Sequence, residues 1–223
     1  MPSGVTLADD VEPGQSYPLG ATPREAGVNF AVYSKHADGI ELLLFDRAED
    51  ERPSRVIALD PLRNQRTFHY WHAFVPGLEP GQLYAYRAFG PDEPEHGHRY
   101  DCHKVLMDPY GRSVAVPRTY DRQAARRPGG NASTSMKSVV ADPGRYDWEG
   151  DVPPNHAWAK TVIYEMHVRG FTRHPSSGVT SARPGTYAAL IEKIPHLQGL
   201  GVTAVELLPV FQFDPQEAPP GLT

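Results

Sequence analysis

Two apolar stretches late in the 223-residue chain decide how it folds: Thr161-Val-Ile-Tyr-Glu-Met-His-Val168 and Val202-Thr-Ala-Val-Glu-Leu-Leu-Pro-Val210. Each is nearly continuous in apolar residues, the pattern of a strand covered on both faces. Between them a loop runs to Pro184-Gly185-Thr186. Thr186 can cap a helix, because its hydroxyl accepts from a first-turn amide. Leu190, Ile191, Ile194 and Leu197 follow at helical spacing, and Gly199 and Gly201 can stop the helix. Pro195 removes one donor and kinks its second half. Strand, helix and strand predict one right-handed βαβ unit. A (β/α)8 TIM barrel repeats that unit over about 250 residues. The expectation is the first βαβ unit of an incomplete barrel at residues 161–223, the front of something larger cut after its second strand.

Upstream the periodicity changes from helical to alternating. Val28, Phe30 and Val32 alternate with Asn29, Ala31 and Tyr33, and Ile40 to Phe45 repeats the pattern after a turn at Ala37-Asp38-Gly39. Further strands are predicted at Arg55–Leu59, Thr67–Val75 and Leu83–Phe89, with Pro76-Gly77 and Pro80-Gly81 between the last two. Short strands about ten residues apart predict an all-β, immunoglobulin-like sandwich over residues 15–117. Residues 118–160, which hold Arg-Arg-Pro-Gly-Gly, Asp142-Pro143-Gly144 and Pro153-Pro154, lack any period and predict a surface connector. The chain is therefore expected to be multi-domain, β followed by α/β.

Composition excludes several classes. With 22 basic and 27 acidic residues the formal charge is −5, which argues against a nucleic-acid partner. Arg118, Arg122, Arg126 and Arg127 form the connector's basic cluster, with acids nearby and no interleaved aromatics, so they read as a solvated loop. No apolar run is long enough for a membrane helix. The first ten residues lack the basic start and apolar stretch of a secretory signal, and the single Cys102 suits a reducing compartment, so a cytoplasmic protein is expected. The 23 prolines and 20 glycines mark a turn-rich chain that still has 39% hydrophobic residues for a core. No nucleophile elbow, Walker loop or dinucleotide fingerprint is present. Asn131-Ala132-Ser133 fits a glycosylation pattern that means nothing without secretion.

Taken together these segments resemble a known family. Val162 to Thr172 resembles the first barrel strand of isoamylase-type enzymes in the α-amylase superfamily, and Gly185 to Val210 resembles their first helix and second strand. Gly27 to Ser34, Trp71 to Leu78, Tyr84 to Pro91, Gly97-His-Arg-Tyr and Lys104 to Tyr110 resemble the sandwich glycan module that precedes the barrel. The glycogen-debranching members look most similar. The resemblance implies a retaining glycoside hydrolase acting on α-1,6 branch linkages of glycogen or limit dextrin, with branched α-glucan as partner and no cofactor. Such enzymes need two carboxyl groups about 5–5.5 Å apart. In this superfamily those groups follow later barrel strands, and their motifs have no match in the sequence. No catalytic residue is carried over, and inactivity of this chain alone is expected. The alternatives are a stand-alone glycan-binding or scaffold protein, and the front end of a branching or trehalose-forming relative.

Several residues that could carry chemistry also have structural roles open to them. Glu165 shares a strand side with His167 and Arg169, and Glu206 shares one with Ala204 and Leu208. Interior pairing with His167 or Arg169 is favoured over catalysis, because buried charges are normally partnered. Glu95, His98, Asp101, Cys102 and His103 lie close together, but no second cysteine or separated histidine pair completes a usual zinc spacing, so no metal is expected. In this stretch Asp101-Cys102-His103 departs from the family's Asn-Pro followed by a small residue. Trp71 is the best candidate for stacking on a sugar, with Tyr84 and Tyr86 near it in sequence. For all three the competing reading, a place in the sandwich core, is the favoured one. Trp148 and Trp158 are expected to anchor the connector.

Overall fold

The computed structural model describes residues 10–180, 182–212, 214 and 216. Residues 1–9 of the stretch read for a leader and most of the last residues of the barrel segment lie outside them. The chain divides into two compact units, one running through Tyr146 and one from Asp147.

The first unit is two antiparallel sheets. One has β1 (Gly20–Arg24), β2 (Gly27–Tyr33), β5 (Arg66–Thr67) and β6 (Tyr70–Pro76) in the order β1-β2-β6-β5. The other has β3 (Gly39–Phe45), β4 (Arg55–Ala58), β7 (Leu83–Phe89), β10 (Val114–Ala115) and β11 (Lys137–Val139) in the order β10-β11-β7-β3-β4. A small hairpin pairs β8 (Asp92–Glu93) with β9 (His98–Arg99). Alternation builds the core. Val28, Phe30 and Val32 of β2 and Trp71, Ala73 and Val75 of β6 form one buried cluster with Ile40, Leu42 and Leu44 of β3 and Tyr84 and Tyr86 of β7. At about 25 cal/mol per Å² of apolar surface removed from water, these large side chains supply the main drive for closing the sandwich.

Three sequence expectations need correction. Thr67–Val75 is not one strand: it folds back at Phe68-His69, where Phe68 has φ +57 and the flanking residues pair across the turn. Gly20–Arg24, not expected as a strand, pairs with β2, and Pro23 is tolerated because β1 is an edge. The segment read as a connector supplies β11, which pairs with Leu83 and Tyr84 of β7. This last correction has a packing cause. Leu43 and Phe45 point away from the main core, yet they are buried in a second cluster with Ala85, Val105 and the partly buried Ala132. Chain from both sides of residue 117 therefore covers the outer face of the second sheet, and the sandwich extends beyond the predicted 15–117.

The second unit contains β12 (Ile163–Met166) and β13 (Ala204–Leu207), parallel and in register Glu165 to Glu206. Between them lie α1 (Val168–Arg173), α2 (Tyr187–Glu192) and α3 (Ile194–Gly199). The expected helix is present and broken where proline demands it: Lys193 separates α2 from α3, and Pro195 sits in the first turn of α3, where a missing N–H costs least. Thr186 caps α2, its Oγ1 accepting from Ala189 N at 3.3 Å. The strands are not covered on both faces. Among the described residues of the pair Met166 alone is buried, because two strands and three short helices leave the rest open. Trp148 and Trp158 are 66% and 91% exposed, so neither anchors this stretch into a core.

Candidate functional site

Because β12 and β13 are parallel, both strands end at the same edge. Leu208 N donates to Met166 O at 2.8 Å and holds the two ends level. His167–Arg169 and Leu208–Phe211 leave that edge, and with Gly185–Tyr187 they line a cleft of about 430 Å³. Its floor is built by local rules. His167 caps α1, Nδ1 accepting from Gly170 N at 3.1 Å. Gly185 has φ +79, and a Cβ there would meet Arg169 Cγ at 3.1 Å, so glycine permits both the turn and the close approach. Gly185 N then donates to Oγ1 of the fully buried Thr172 at 2.8 Å. Tyr187, Leu208, Val210 and Phe211 expose apolar surface beside the donors of His167 and Arg169. Apolar faces next to a few polar groups are what a ligand pocket requires. Among the described residues no carboxylate lines the cleft.

Glu165 and Glu206 face each other in the strand register but stop short of this edge, and both are exposed. The expected pairing with His167 or Arg169 is not formed among the described residues. Hydrated carboxylates on an open sheet need no partner, and Nδ1 of His167 is taken by its cap.

In the sandwich, Trp71 is a core residue. It has no exposed surface, its Nε1–H donates to Ser34 O at 3.2 Å, and the Arg66 guanidinium lies 4.5 Å from its ring centroid. Burial removes the face that a sugar would need, so Trp71 is corrected from stacking candidate to core filler. Tyr84 and Tyr86 are buried too, as favoured. Tyr84 donates to Asp108 Oδ2 at 2.8 Å. Burial pushes the Asp108 carboxyl above its ordinary range, partly offset by the Tyr110 amide and the Tyr84 hydroxyl. Burial also drives both phenols well above their usual pKa.

Asp101, Cys102 and His103 bring one donor each within 4.8 Å of one another, all exposed. Glu95 and His98 are not part of that group. Three exposed donors from consecutive residues fall one short of a closed structural zinc site.

Two lysines escaped the sequence reading. Lys104 is buried and donates to the carbonyls of Ala124, Arg127 and Gly129, tying down the loop at 121–131. Lys137 does the same for Ala48, Ala132 and Ser135 and lies over the Phe45 ring. Nothing in a lysine's name marks it as buried. The only available clue is its place beside apolar neighbours.

Known proteins match this architecture. Residues 18–111 match the model of carbohydrate-binding module 48, the isoamylase N-terminal domain. A glycogen debranching enzyme of Cronobacter sakazakii is 45% identical over 208 residues, covering 90% of this chain and 30% of the relative. The chloroplastic isoamylase SU1 of Zea mays is 41% identical, covering 92% of this chain and 26% of the relative. The chain thus spans less than a third of the length of these curated relatives. Among solved structures, the catalytic module of the glycogen-degrading pneumococcal virulence factor SpuA matches with TM-score 0.65 and 26% identity, over 89% of this chain and 28% of that one. A pullulanase from Paenibacillus barengoltzii shares the fold, with TM-score 0.66 and 24% identity over 91% of this chain and 28% of that one. Residues 18–111 thus match the isoamylase N-terminal domain of carbohydrate-binding module 48, and the chain as a whole is similar to part of glycogen debranching enzymes and isoamylases.

Proposed function

We propose that this chain is the glucan-holding front section of a retaining glycoside hydrolase that cleaves α-1,6 branch linkages in glycogen or limit dextrin. The match of residues 18–111 to a carbohydrate-binding module carries the reading. On it, the immunoglobulin-like sandwich binds branched α-glucan. The parallel pair β12 and β13, with the helices between them, is the first βαβ unit of a (β/α)8 barrel, and its strand-end cleft is one wall of the barrel mouth, where such enzymes place their sites. The exposed Ile163 and Val205 support the barrel, since a larger sheet and its helices would cover them.

The chemistry of hydrolysis is assigned elsewhere. A retaining mechanism needs a nucleophilic carboxylate and an acid/base carboxyl about 5–5.5 Å apart. The cleft offers an imidazole, a guanidinium and apolar walls, which hold a sugar without cleaving it. Pure chain incubated with glycogen should release no reducing ends. Release that disappears in Glu165→Gln would overturn this assignment, because it would make the exposed strand carboxylate catalytic. The proposed cellular setting is the cytoplasm. No helix among the described residues is long and apolar enough to cross a membrane.

A further inference from the structure

The tip of the β5–β6 hairpin is built at a local cost. A two-residue turn with positive φ normally carries glycine or asparagine, yet here the left-handed position holds Phe68, which is 77% exposed. A bulky residue there costs of order 1–3 kcal/mol and persists only when the surroundings fix it. They do fix it: Arg66 Nε donates to Phe68 O at 3.0 Å, and Ser34 N donates to His69 O at 2.9 Å. A second cost sits at the same place, because the buried Nδ1 of His69 has no hydrogen-bond partner. The rings form a continuous strip. Phe68 lies 3.8 Å from His69, His69 lies 6.0 Å from Tyr33 at 84°, and Tyr33 lies 5.4 Å from Tyr70 at 67°. Tyr33, at the end of β2, is 43% exposed. Fold stability alone favours glycine at the tip and no orphan nitrogen beneath it.

We infer that this strip, with Phe68 and Tyr33 as its exposed rings, is a stacking platform for an α-glucan chain on the sandwich. The inference rests on the carbohydrate-binding reading above and gives it a place. Pyranose rings present apolar C–H faces that pack on exposed aromatic faces, while the Tyr33 hydroxyl can bond sugar hydroxyls. An aromatic edge held rigidly by backbone hydrogen bonds binds without losing much side-chain freedom. The fully buried Trp71 leaves this role open.

The test is native electrophoresis of the full chain through gels with and without glycogen. Phe68→Gly and Tyr33→Ala should each weaken retardation roughly five- to tenfold, the scale of one lost aromatic contact. Leu62→Ala, which trims a 93% exposed apolar residue on a neighbouring turn, should leave retardation unchanged. Phe68→Tyr should retain binding. Phe68→Gly should also melt no lower than the parent, since glycine accepts the left-handed backbone. Full retardation in Phe68→Gly would overturn the platform while leaving the glucan reading intact. An unretarded parent chain would overturn both.

Discussion

Lys137 has no exposed surface, and its ammonium donates to three backbone carbonyls, those of Ala48, Ala132 and Ser135. Burial lowers its pKa from 10.5 to about 8. Between those values the unfolded chain holds a proton that the folded chain has released, so stability rises with pH across that window. Tyr84 and Tyr86 act in the opposite sense. Burial raises both above 10.0, so beyond that pH the folded chain keeps protons the unfolded chain loses, and stability falls. Urea midpoints should therefore climb from about pH 8 toward 10 and then decline. Lys137→Met should be about 2 kcal/mol less stable at neutral pH, because buried carbonyls lose their donor, and it should lack the climb. A climb that survives in Lys137→Met would assign it to another group. Trp71→Phe shrinks a core filler and deletes the hydrogen bond to Ser34. It should cost about 1–2 kcal/mol in thermal or urea unfolding and leave glycogen retardation at the parental level. Weaker retardation in the folded variant would return Trp71 to the binding surface.

At the scale of elements, signals were legible where a local rule agreed with tertiary demand. Val28, Phe30 and Val32 announce β2 because every second residue is apolar and the structure buries that side. Thr186 announces α2 by a hydroxyl that does cap it, so Thr186→Ala should lose about 1 kcal/mol from the second unit in urea unfolding. Pro195 announces the break between α2 and α3. Supplying the missing amide in Pro195→Ala should join them and raise helical ellipticity, whereas an unchanged spectrum would place the cause of the break elsewhere. Other elements were hidden for physical reasons. Thr67 to Val75 carries aromatic and branched residues without a turn-forming glycine, so the fold-back at Phe68 is fixed by hydrogen bonds from Arg66 and Ser34 rather than by propensity. Lys137-Ser138 looks solvated, yet β11 buries both, because the lysine donates to three carbonyls and Ser138 Oγ accepts from Asp108 N at 3.0 Å. The strand-end cleft was half visible. Both strands were readable from their apolar runs, but His167 and Arg169 reach the cleft by leaving β12 into α1, a helix that falls where the sequence suggested a loop.

At the scale of the whole molecule, the parts support binding more directly than chemistry. A sandwich matched to a carbohydrate-binding module, a hairpin tip that displays aromatic rings at local cost, and a strand-end cleft with no carboxylate among its described lining residues suit the proposed holding of sugar better than its cleavage. The relatives that share this stretch are debranching enzymes and isoamylases, and their names give the class of glucan to try first. The most direct measurement is co-sedimentation of the purified chain with glycogen. The chain should pellet with the polymer in proportion to glycogen concentration and return to the supernatant when soluble branched dextrin is added. A chain that stays in the supernatant at every glycogen concentration would contradict the account.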